Sequence, residues 1–203
     1  MLTNYFIDLD IDITHALRDD LDLEDFRKTG NNINAPIDIW HLSKKNLIDV
    51  YNKDWLDYMK SISIEVEGSL IFYRAPNLFH KKLHIDVEID PVKIVQYGVN
   101  FVYDENDNSE MIWYELNSQE PLEDRINWTA AGVPYCSWDL DEFDGYEAAR
   151  KVIGKKLVLV NTSVPHTVET FDKERWSFSL RMSDMAYLNW KDTVSKFQDF
   201  IHH

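Results

Sequence analysis

One short stretch places an imidazole and a carboxylate at a spacing that can hold a metal ion. In "KKLHIDVEID" (residues 81–90), apolar and polar residues alternate, which is typical of a half-buried strand. His84 and Asp86 are two residues apart, and side chains two apart on a strand point to the same face. The pair can therefore offer two ligands to one ion, and a third ligand has to come from elsewhere in the chain.

The third ligand has few candidates. Among the seven histidines, His166 is the one that begins a predicted strand late in the chain, in "NTSVPHTVET". The others end the chain, lie in the N-terminal region or stand four residues before the first pair: His202, His203, His15, His41 and His80. Two histidines and one carboxylate form the facial triad of non-haem Fe(II) oxygenases. A closed zinc site would need four protein ligands, usually thiolates, and the chain has one cysteine, Cys136. The alternative is a solvated strand residue at 84 and a hydrogen-bonded core histidine at 166.

A second segment, "RWSFSLR" (residues 175–181), is predicted to be a strand with one polar and one apolar face. Its polar face carries Arg175, Ser177, Ser179 and Arg181, and its apolar face carries Trp176, Phe178 and Leu180. Cations and hydroxyls that face into a β core are costly unless an anion meets them. A planar guanidinium suits a carboxylate, with a hydroxyl donating beside it. The alternative is an exposed face with surface arginines, and the proximity of a metal triad favours the anion site.

The order of these motifs resembles that of the Fe(II)/2-oxoglutarate-dependent oxygenase superfamily: HxD, a distal histidine, and Arg-x-Ser nine residues later. Within it, the C-terminal stretch "PHTVETFDKERWSFSLRM" is similar to prolyl hydroxylases. The stretch "FYRAPNLFHKKLHID" resembles the approach strand of aspartyl/asparaginyl β-hydroxylase-like members. The resemblance covers residues 71–182 and is strongest at its two ends, and residues 1–60 and 117–155 carry no such resemblance.

The resemblance implies a double-stranded β-helix (jelly-roll, cupin-like) core and the cofactors Fe(II) and 2-oxoglutarate. It assigns His84, Asp86 and His166 as catalytic iron ligands. It assigns Arg175 and Ser177 to the distal carboxylate of 2-oxoglutarate. Arg181 is the alternative arginine for that carboxylate, and its predicted register also permits contact with substrate. Related halogenases replace the carboxylate ligand by a small residue, so the presence of an aspartate favours hydroxylation. Further candidates for lining the pocket, from predicted strand position alone, are Tyr73, Arg74, Asn100 and Tyr114.

The elements that position these residues are predicted from periodicity. Residues 1–203 are expected to form one domain, with a helical front over 1–60 in which Ser43 caps a helix that reaches about Lys60. A jelly-roll core is predicted over 62–182, with an insertion at 117–155 and a C-terminal helix at 187–203. A hairpin turn is expected at 104–109 and a helix near 142–153. Strands are predicted at 62–66, 70–74, 83–89, 94–103, 111–116, 156–160, 166–170 and 175–182.

Residues 117–140 are long for a connection between strands. Three aromatic residues in this segment, Trp128, Tyr135 and Trp138, could form the wall of a substrate lid. The alternative is a surface excursion whose aromatic rings pack on the core.

Composition bounds the class of protein and its partners. The 203 residues are 44% hydrophobic, which predicts a globular protein. A net charge of −15 repels nucleic acid, because its binders neutralise phosphates with clustered Lys and Arg. We find no apolar run near the roughly 18 residues of a membrane span and no signal-peptide pattern. The single cysteine excludes an intrachain disulfide, which predicts a cytoplasmic location.

Two other function classes remain open from the sequence. Cupin-like metal-binding proteins or isomerases share the jelly-roll core but usually present HxH where this chain has HxD. A non-catalytic β-sandwich binding protein would need no metal. The predicted partner is a small-molecule or peptide substrate, and the sequence does not separate these or indicate an oligomeric state.

Overall fold

The computed structural model describes residues 3–30, 34–79, 81–88, 93–103, 109–117, 122–129 and 132–201, and they are mainly β. The strands are β1 (Phe6–Leu9), β2 (Ile37–Ser43), β3 (Gly68–Arg74), β4 (Lys82–Glu88), β5 (Lys93–Ile94), β6 (Tyr97–Val102), β7 (Ser109–Leu116), β8 (Ile126–Trp128), β9 (Pro134–Asp139), β10 (Gly145–Val152), β11 (Leu157–Asn161), β12 (His166–Thr170) and β13 (Arg175–Arg181). The α-helices are α1 (Leu23–Arg27), α2 (Lys53–Ser61) and α3 (Trp190–Lys196). Short 3₁₀ turns span Lys44–Asp49, Glu123–Arg125, Leu140–Glu142 and Gln198–Phe200. Of the helices in these ranges, none has the length and apolar character needed to cross a membrane.

The strands form two antiparallel sheets that face each other. The first has the order β1-β11-β6-β13-β3-β2, and the second has the order β10-β7-β12-β4-β9-β8, with β5 beside β4. Strands β3, β6, β11 and β13 of the first sheet interleave along the chain with β4, β7, β10 and β12 of the second. Two four-stranded sheets that share one chain in this way are a double-stranded β-helix, which confirms the predicted fold.

The outer face of the first sheet packs against the helices. Alternate residues of β13, Trp176, Phe178 and Leu180, are buried in a core that includes Tyr51 and Trp55. Each large side chain of this kind contributes about 1.5–3 kcal/mol on burial. Because alternation is strict along a strand, this packing directs the polar residues of β13 into the space between the two sheets.

The predicted helical front is wrong at β1 and β2, which form the two edges of the first sheet, whereas α1 between them is helical. Their segments "FIDL" and "IDIWHLS" alternate with a period of two, and pairing with β11 and β3 satisfies their backbones. The helix predicted from Ser43 is divided into a 3₁₀ turn and α2. Asn52 caps α2 by accepting from the Asp54 backbone N–H at 2.9 Å, whereas Ser43 makes no such bond. The apolar residues of this segment are buried, at Leu47, Val50, Tyr51, Trp55 and Met59.

Three further predictions differ from the structure. The strand expected at 62–66 is absent, because the chain leaves α2 through Ser63, whose φ of 65° is in the left-handed region. The helix expected at 142–153 is the strand β10, because pairing with β7 decides the conformation over local helix propensity. The supposed insertion at 117–155 belongs to the second sheet, in which β9 lies beside β4.

The remaining predicted elements are either present in the structure or lie outside the described residues. The strands expected at 70–74, 83–89, 111–116, 156–160, 166–170 and 175–182 are present with small changes in their ends, and α3 lies within the predicted C-terminal helix. The strand expected at 94–103 is divided into β5, which pairs with β4, and β6, which lies in the first sheet. Of the hairpin turn expected at 104–109, residues 104–108 lie outside the described residues.

Candidate metal centre and anion site

The three predicted metal ligands lie together in the second sheet. His84 and Asp86 are on β4, and His166 is on β12, paired directly with His84. One ligand atom from each lies within 4.8 Å of the others. Atoms that bind one ion at about 2.0–2.2 Å and at right angles, as in a facial triad, are about 3 Å apart, so the side chains would approach one another by up to about 2 Å to complete a site. Within the described ranges, this is the group of three or more His, Cys, Asp or Glu that could hold an ion.

The apolar residues of β4 decide which of its side chains face the interior between the sheets. Leu83, Ile85 and Val87 are buried on the outer face of the second sheet, in a cluster with Trp138 and Cys136. This packing turns the alternate residues of β4, which include the two ligands, toward the interior. Cys136 is thus a buried residue of this cluster.

Hydrogen bonding prepares His166 to bind a cation. Its Nδ1 lies 2.9 Å from the carbonyl oxygen of Val164, and a proton donated there leaves Nε2 as the acceptor for a metal. Burial lowers the pKa of His166, against the opposing charge of Asp86. The ring is therefore neutral at pH 7, which is the form that binds metals.

Asp86 is held by Arg181 from the opposite sheet. The Nη2 of Arg181 donates to Oδ2 of Asp86 at 2.9 Å. Burial by itself would raise the pKa of Asp86, but the charge of Arg181 and the nearby rings of His166 and His84 outweigh it and lower the pKa. The carboxylate is therefore ionised and oriented. The structure places Arg181 beside the metal ligands, where the sequence left open whether it would bind 2-oxoglutarate or substrate.

Arg175 is buried between the sheets and bonded to two serines. Its Nε donates to Oγ of Ser109 at 2.8 Å, and its Nη1 donates to Oγ of Ser177 at 2.7 Å. Burial, with a further contribution from the charge of Arg74, lowers the pKa of Arg175 to about 9, so it remains charged at pH 7. Sequence reasoning paired Arg175 with Ser177 but missed Ser109, since it lies on a strand of the other sheet and no local signal indicates the contact.

Arg74 lies directly opposite Arg175 in the pairing of β3 with β13. It is 6% exposed, and within the described structure neither its Nε nor its Nη1 has a hydrogen-bond partner. Burial lowers its pKa to about 10, which leaves it charged at neutral pH. Two buried guanidiniums therefore lie side by side, and neither is paired with a described carboxylate.

Two of the candidate metal ligands, His84 and Asp86, border a cleft of about 310 Å³ between β2 and β3 on one side and the β8–β9 hairpin on the other. Its lining includes His84, Asp86 and Arg74, and its walls are formed mainly by Ile37, Ile39, Leu70, Phe72, Trp128, Val133, Pro134 and Tyr135. A second cavity of about 510 Å³ lies on the other side of Asp86, near Arg181, and it shares Trp128, Val133 and Pro134. The hairpin thus lines both cavities.

The aromatic residues of the hairpin divide between these cavities and the core. Trp128 and Tyr135 line the cleft, and Trp128 is 57% exposed. Trp138 instead is buried in the outer cluster with Cys136. Two of the three proposed wall residues therefore lie where a lid would need them, and the third is structural.

Two pocket candidates point away from the site. Tyr73 lies on the outer face of the first sheet, with its ring centroid 5.2 Å from that of Trp176 and the Arg27 guanidinium 3.6 Å above it. Tyr114 lies in the outer cluster of the second sheet, with its ring 5.9 Å from that of Phe143. Each is one residue out of phase with the inward positions of its strand.

Asn100 behaves differently from these two tyrosines. It is paired with Ser179 on the inward face of β6, and its buried Oδ1 has no hydrogen-bond partner within the described structure. It faces the space between the sheets but lines neither of the two cavities.

Comparison with known proteins gives limited information. No family model matches the sequence, and no curated protein matches it. A crystal structure of a Pseudomonas putida prolyl-4-hydroxylase is similar at a TM-score of 0.43 and 15% identity, over 78% of this chain and 80% of that one. E. coli ycfD is similar at a TM-score of 0.34 and 11% identity, over 70% of this chain and 32% of that one. Similarity of this extent does not identify a family, and the function is inferred from the site itself.

Proposed function

We propose that this protein is an Fe(II)- and 2-oxoglutarate-dependent dioxygenase that hydroxylates a small-molecule or peptide side-chain substrate. The observation that carries the proposal is the convergence of His84, Asp86 and His166 to within 4.8 Å, at a cleft that the buried Arg74 also lines, with Arg175 paired opposite Arg74. A cation site next to an anion site is what a metal-chelating diacid requires.

The donor set fits iron. Two imidazoles and one carboxylate supply three ligands and leave positions for a cosubstrate and dioxygen, whereas a structural zinc site would be closed by a fourth protein ligand. Among the described residues, no cysteine or further carboxylate joins the group.

The arginines fit a diacid. A buried charge without a partner is strongly destabilising, and a carboxylate placed against Arg175 would remove that cost. The serine hydroxyls of Ser109 and Ser177 hold the guanidinium plane in one orientation, which reduces the entropy lost on binding.

The protein residues then have distinct tasks. His84, His166 and Asp86 would hold the ion, and Arg181 keeps the carboxylate of Asp86 ionised and oriented. When bound, iron and 2-oxoglutarate supply the oxidising chemistry, in which decarboxylation of the diacid to succinate and carbon dioxide accompanies transfer of one oxygen atom of dioxygen into a substrate C–H bond. The apolar walls of the cleft orient the substrate and exclude water from the reacting atoms.

The test is the weak visible charge-transfer band that forms when Fe(II) and 2-oxoglutarate bind together without oxygen. Wild-type protein should show the band, and His84→Ala and His166→Ala should not. His15→Ala is the matched control, because His15 is exposed and distant in the fold from the triad, and it should keep the band. Absence of the band from wild type would contradict the proposal. Metal binding without 2-oxoglutarate binding would favour the cupin-like alternative.

A further inference from the structure

We propose that Arg74 binds a carboxylate of the substrate, so that the substrate is a small, mainly apolar carboxylic acid. This inference rests on the proposed function and adds the substrate class to it.

The first reason is the state of Arg74 itself. Its side chain is buried, and its Nε and Nη1 donate to no described atom. Most buried polar atoms in proteins have a partner, and an orphaned guanidinium is among the costliest exceptions. A carboxylate placed against this guanidinium would accept from one of these two donors and would offset its charge.

The second reason is the composition of the cleft. Among the described residues that line it, Arg74 is the sole Lys or Arg. Asp38 also borders the cleft, but its pairing with Tyr73 places its side chain on the outer face of the sheet. The other lining residues, the metal ligands apart, are predominantly apolar or aromatic. The cleft therefore favours an apolar body with one anionic group.

The third reason is the balance of charge in the loaded site. Asp86 is offset by Arg181, one carboxylate of a bound diacid would lie against the ion, and the other would lie against Arg175. Arg74 and one charge of the divalent ion then remain as two uncompensated positive charges. One substrate carboxylate removes half of this excess, and a neutral or cationic substrate removes none of it.

The two arginines differ in what surrounds them. Arg175 already donates to two serines and is absent from the lining of the cleft, which suits a resident cosubstrate in a closed position. Arg74 lines the cleft together with Trp128 and Tyr135 of the hairpin, where a substrate would enter. At about 310 Å³, the cleft is at the lower end of ligand sites, which indicates a small molecule or a single side chain.

The experiment measures binding of two acids and their amides, phenylacetate against phenylacetamide and hexanoate against hexanamide. The protein is loaded with 2-oxoglutarate and Mn(II), which replaces iron and prevents turnover, and affinities are measured by calorimetry. Wild type should bind at least one acid about tenfold or more tightly than its amide, the effect of one charged hydrogen-bonded contact. Arg74→Gln should reduce that preference to within twofold, and Arg74→Lys should keep part of it.

Two controls separate this inference from the proposed function. Arg18→Gln, at an exposed arginine paired with Asp20, should keep the preference of wild type. Affinity for 2-oxoglutarate should change less than about threefold in Arg74→Gln but fall sharply in Arg175→Gln. Equal binding of acids and amides by wild type would overturn the inference, as would loss of 2-oxoglutarate binding in Arg74→Gln.

Wild-type protein that binds no 2-oxoglutarate would refute the proposed function instead. The acids and amides are then compared on the Mn(II) protein alone, where an acid preference that Arg74→Gln removes supports the carboxylate site and its absence overturns it. Thermal unfolding of the unliganded variants shows whether they are folded. Because Arg74→Gln removes an uncompensated buried charge, its midpoint should not fall below that of wild type.

Discussion

The two corners of the site differ in whether their charges are already paired. At the β4–β12 corner, Asp86 accepts from Arg181 and His166 is bonded to the carbonyl of Val164. At the β3–β13 corner, Arg74 and Arg175 lie opposite each other without a described carboxylate. The first corner holds its ligands in position before a metal arrives, whereas the second keeps cations uncompensated until an anion binds. Under the proposed function, this difference is that between a resident metal and exchangeable anions.

The largest effect is expected at the metal corner. Asp86→Ala removes the one negatively charged ligand and leaves Arg181 without its partner, so Mn(II) affinity should fall by more than about 100-fold. Calorimetric titration with Mn(II) measures it. Asp57→Ala, at an exposed aspartate of α2 paired with Lys53, is the control and should bind the ion like wild type. Unchanged affinity in Asp86→Ala would exclude this residue as a ligand.

The next effect belongs to the anion corner. Arg175→Met should weaken binding of 2-oxoglutarate by about 10- to 100-fold while leaving Mn(II) affinity almost unchanged, because a charged hydrogen-bonded contact is worth roughly 1.5–3 kcal/mol. Arg150→Met removes a partly exposed arginine on β10, paired with Glu147 and Glu110, and serves as control. Equal losses of metal and diacid binding in Arg175→Met would mean that the two corners do not act separately.

The same comparison shows what the sequence could and could not predict. Two metal ligands are two residues apart on one strand, and Arg175 and Ser177 share another, so their common faces follow from local alternation. The contact of Arg175 with Ser109 and the register of Arg74 opposite Arg175 depend on pairing between strands far apart in the chain. Local patterns do not encode that register.

The wrong assignments have a related cause. Tyr73 and Tyr114 are on the predicted strands, but an error of one residue in phase reverses the face on which a side chain lies. Residues 145–152 are a strand and not the predicted helix because strand pairing overrides a weak local preference. At β1 and β2 the alternation is present in the sequence but extends over only four and seven residues. The buried histidine at 166 was predictable because its spacing from Arg175 matched a known order of motifs.

A smaller effect is expected at Arg181, which lies on β13 and contacts Asp86 on β4. Arg181→Met removes the hydrogen bond to Asp86, and we expect Mn(II) affinity at pH 7 to fall about tenfold, in the range typical of groups that orient metal ligands. Since Arg181 lowers the pKa of Asp86, its loss raises that pKa, and protonation then competes with the metal at higher pH. The acidic limit of metal binding should therefore move to higher pH in the variant. An unmoved limit would show that Arg181 does not act through the carboxylate.

The smallest effect is expected for the β8–β9 hairpin, which lines both cavities. Trp128 is 57% exposed yet lines the cleft, so Trp128→Ala should change thermal stability little, within about 0.5 kcal/mol, and should weaken binding of apolar acids a fewfold. Tyr187→Ala, at an aromatic residue that is 68% exposed and lines neither cavity, is the control. Affinity for 2-oxoglutarate should not change in either variant, because the diacid is held at β13 and not at the hairpin. If Trp128→Ala weakens binding of 2-oxoglutarate as much as binding of the apolar acid, the hairpin contacts the cosubstrate. The proposed separation between a closed anion corner and an open substrate cleft is then wrong.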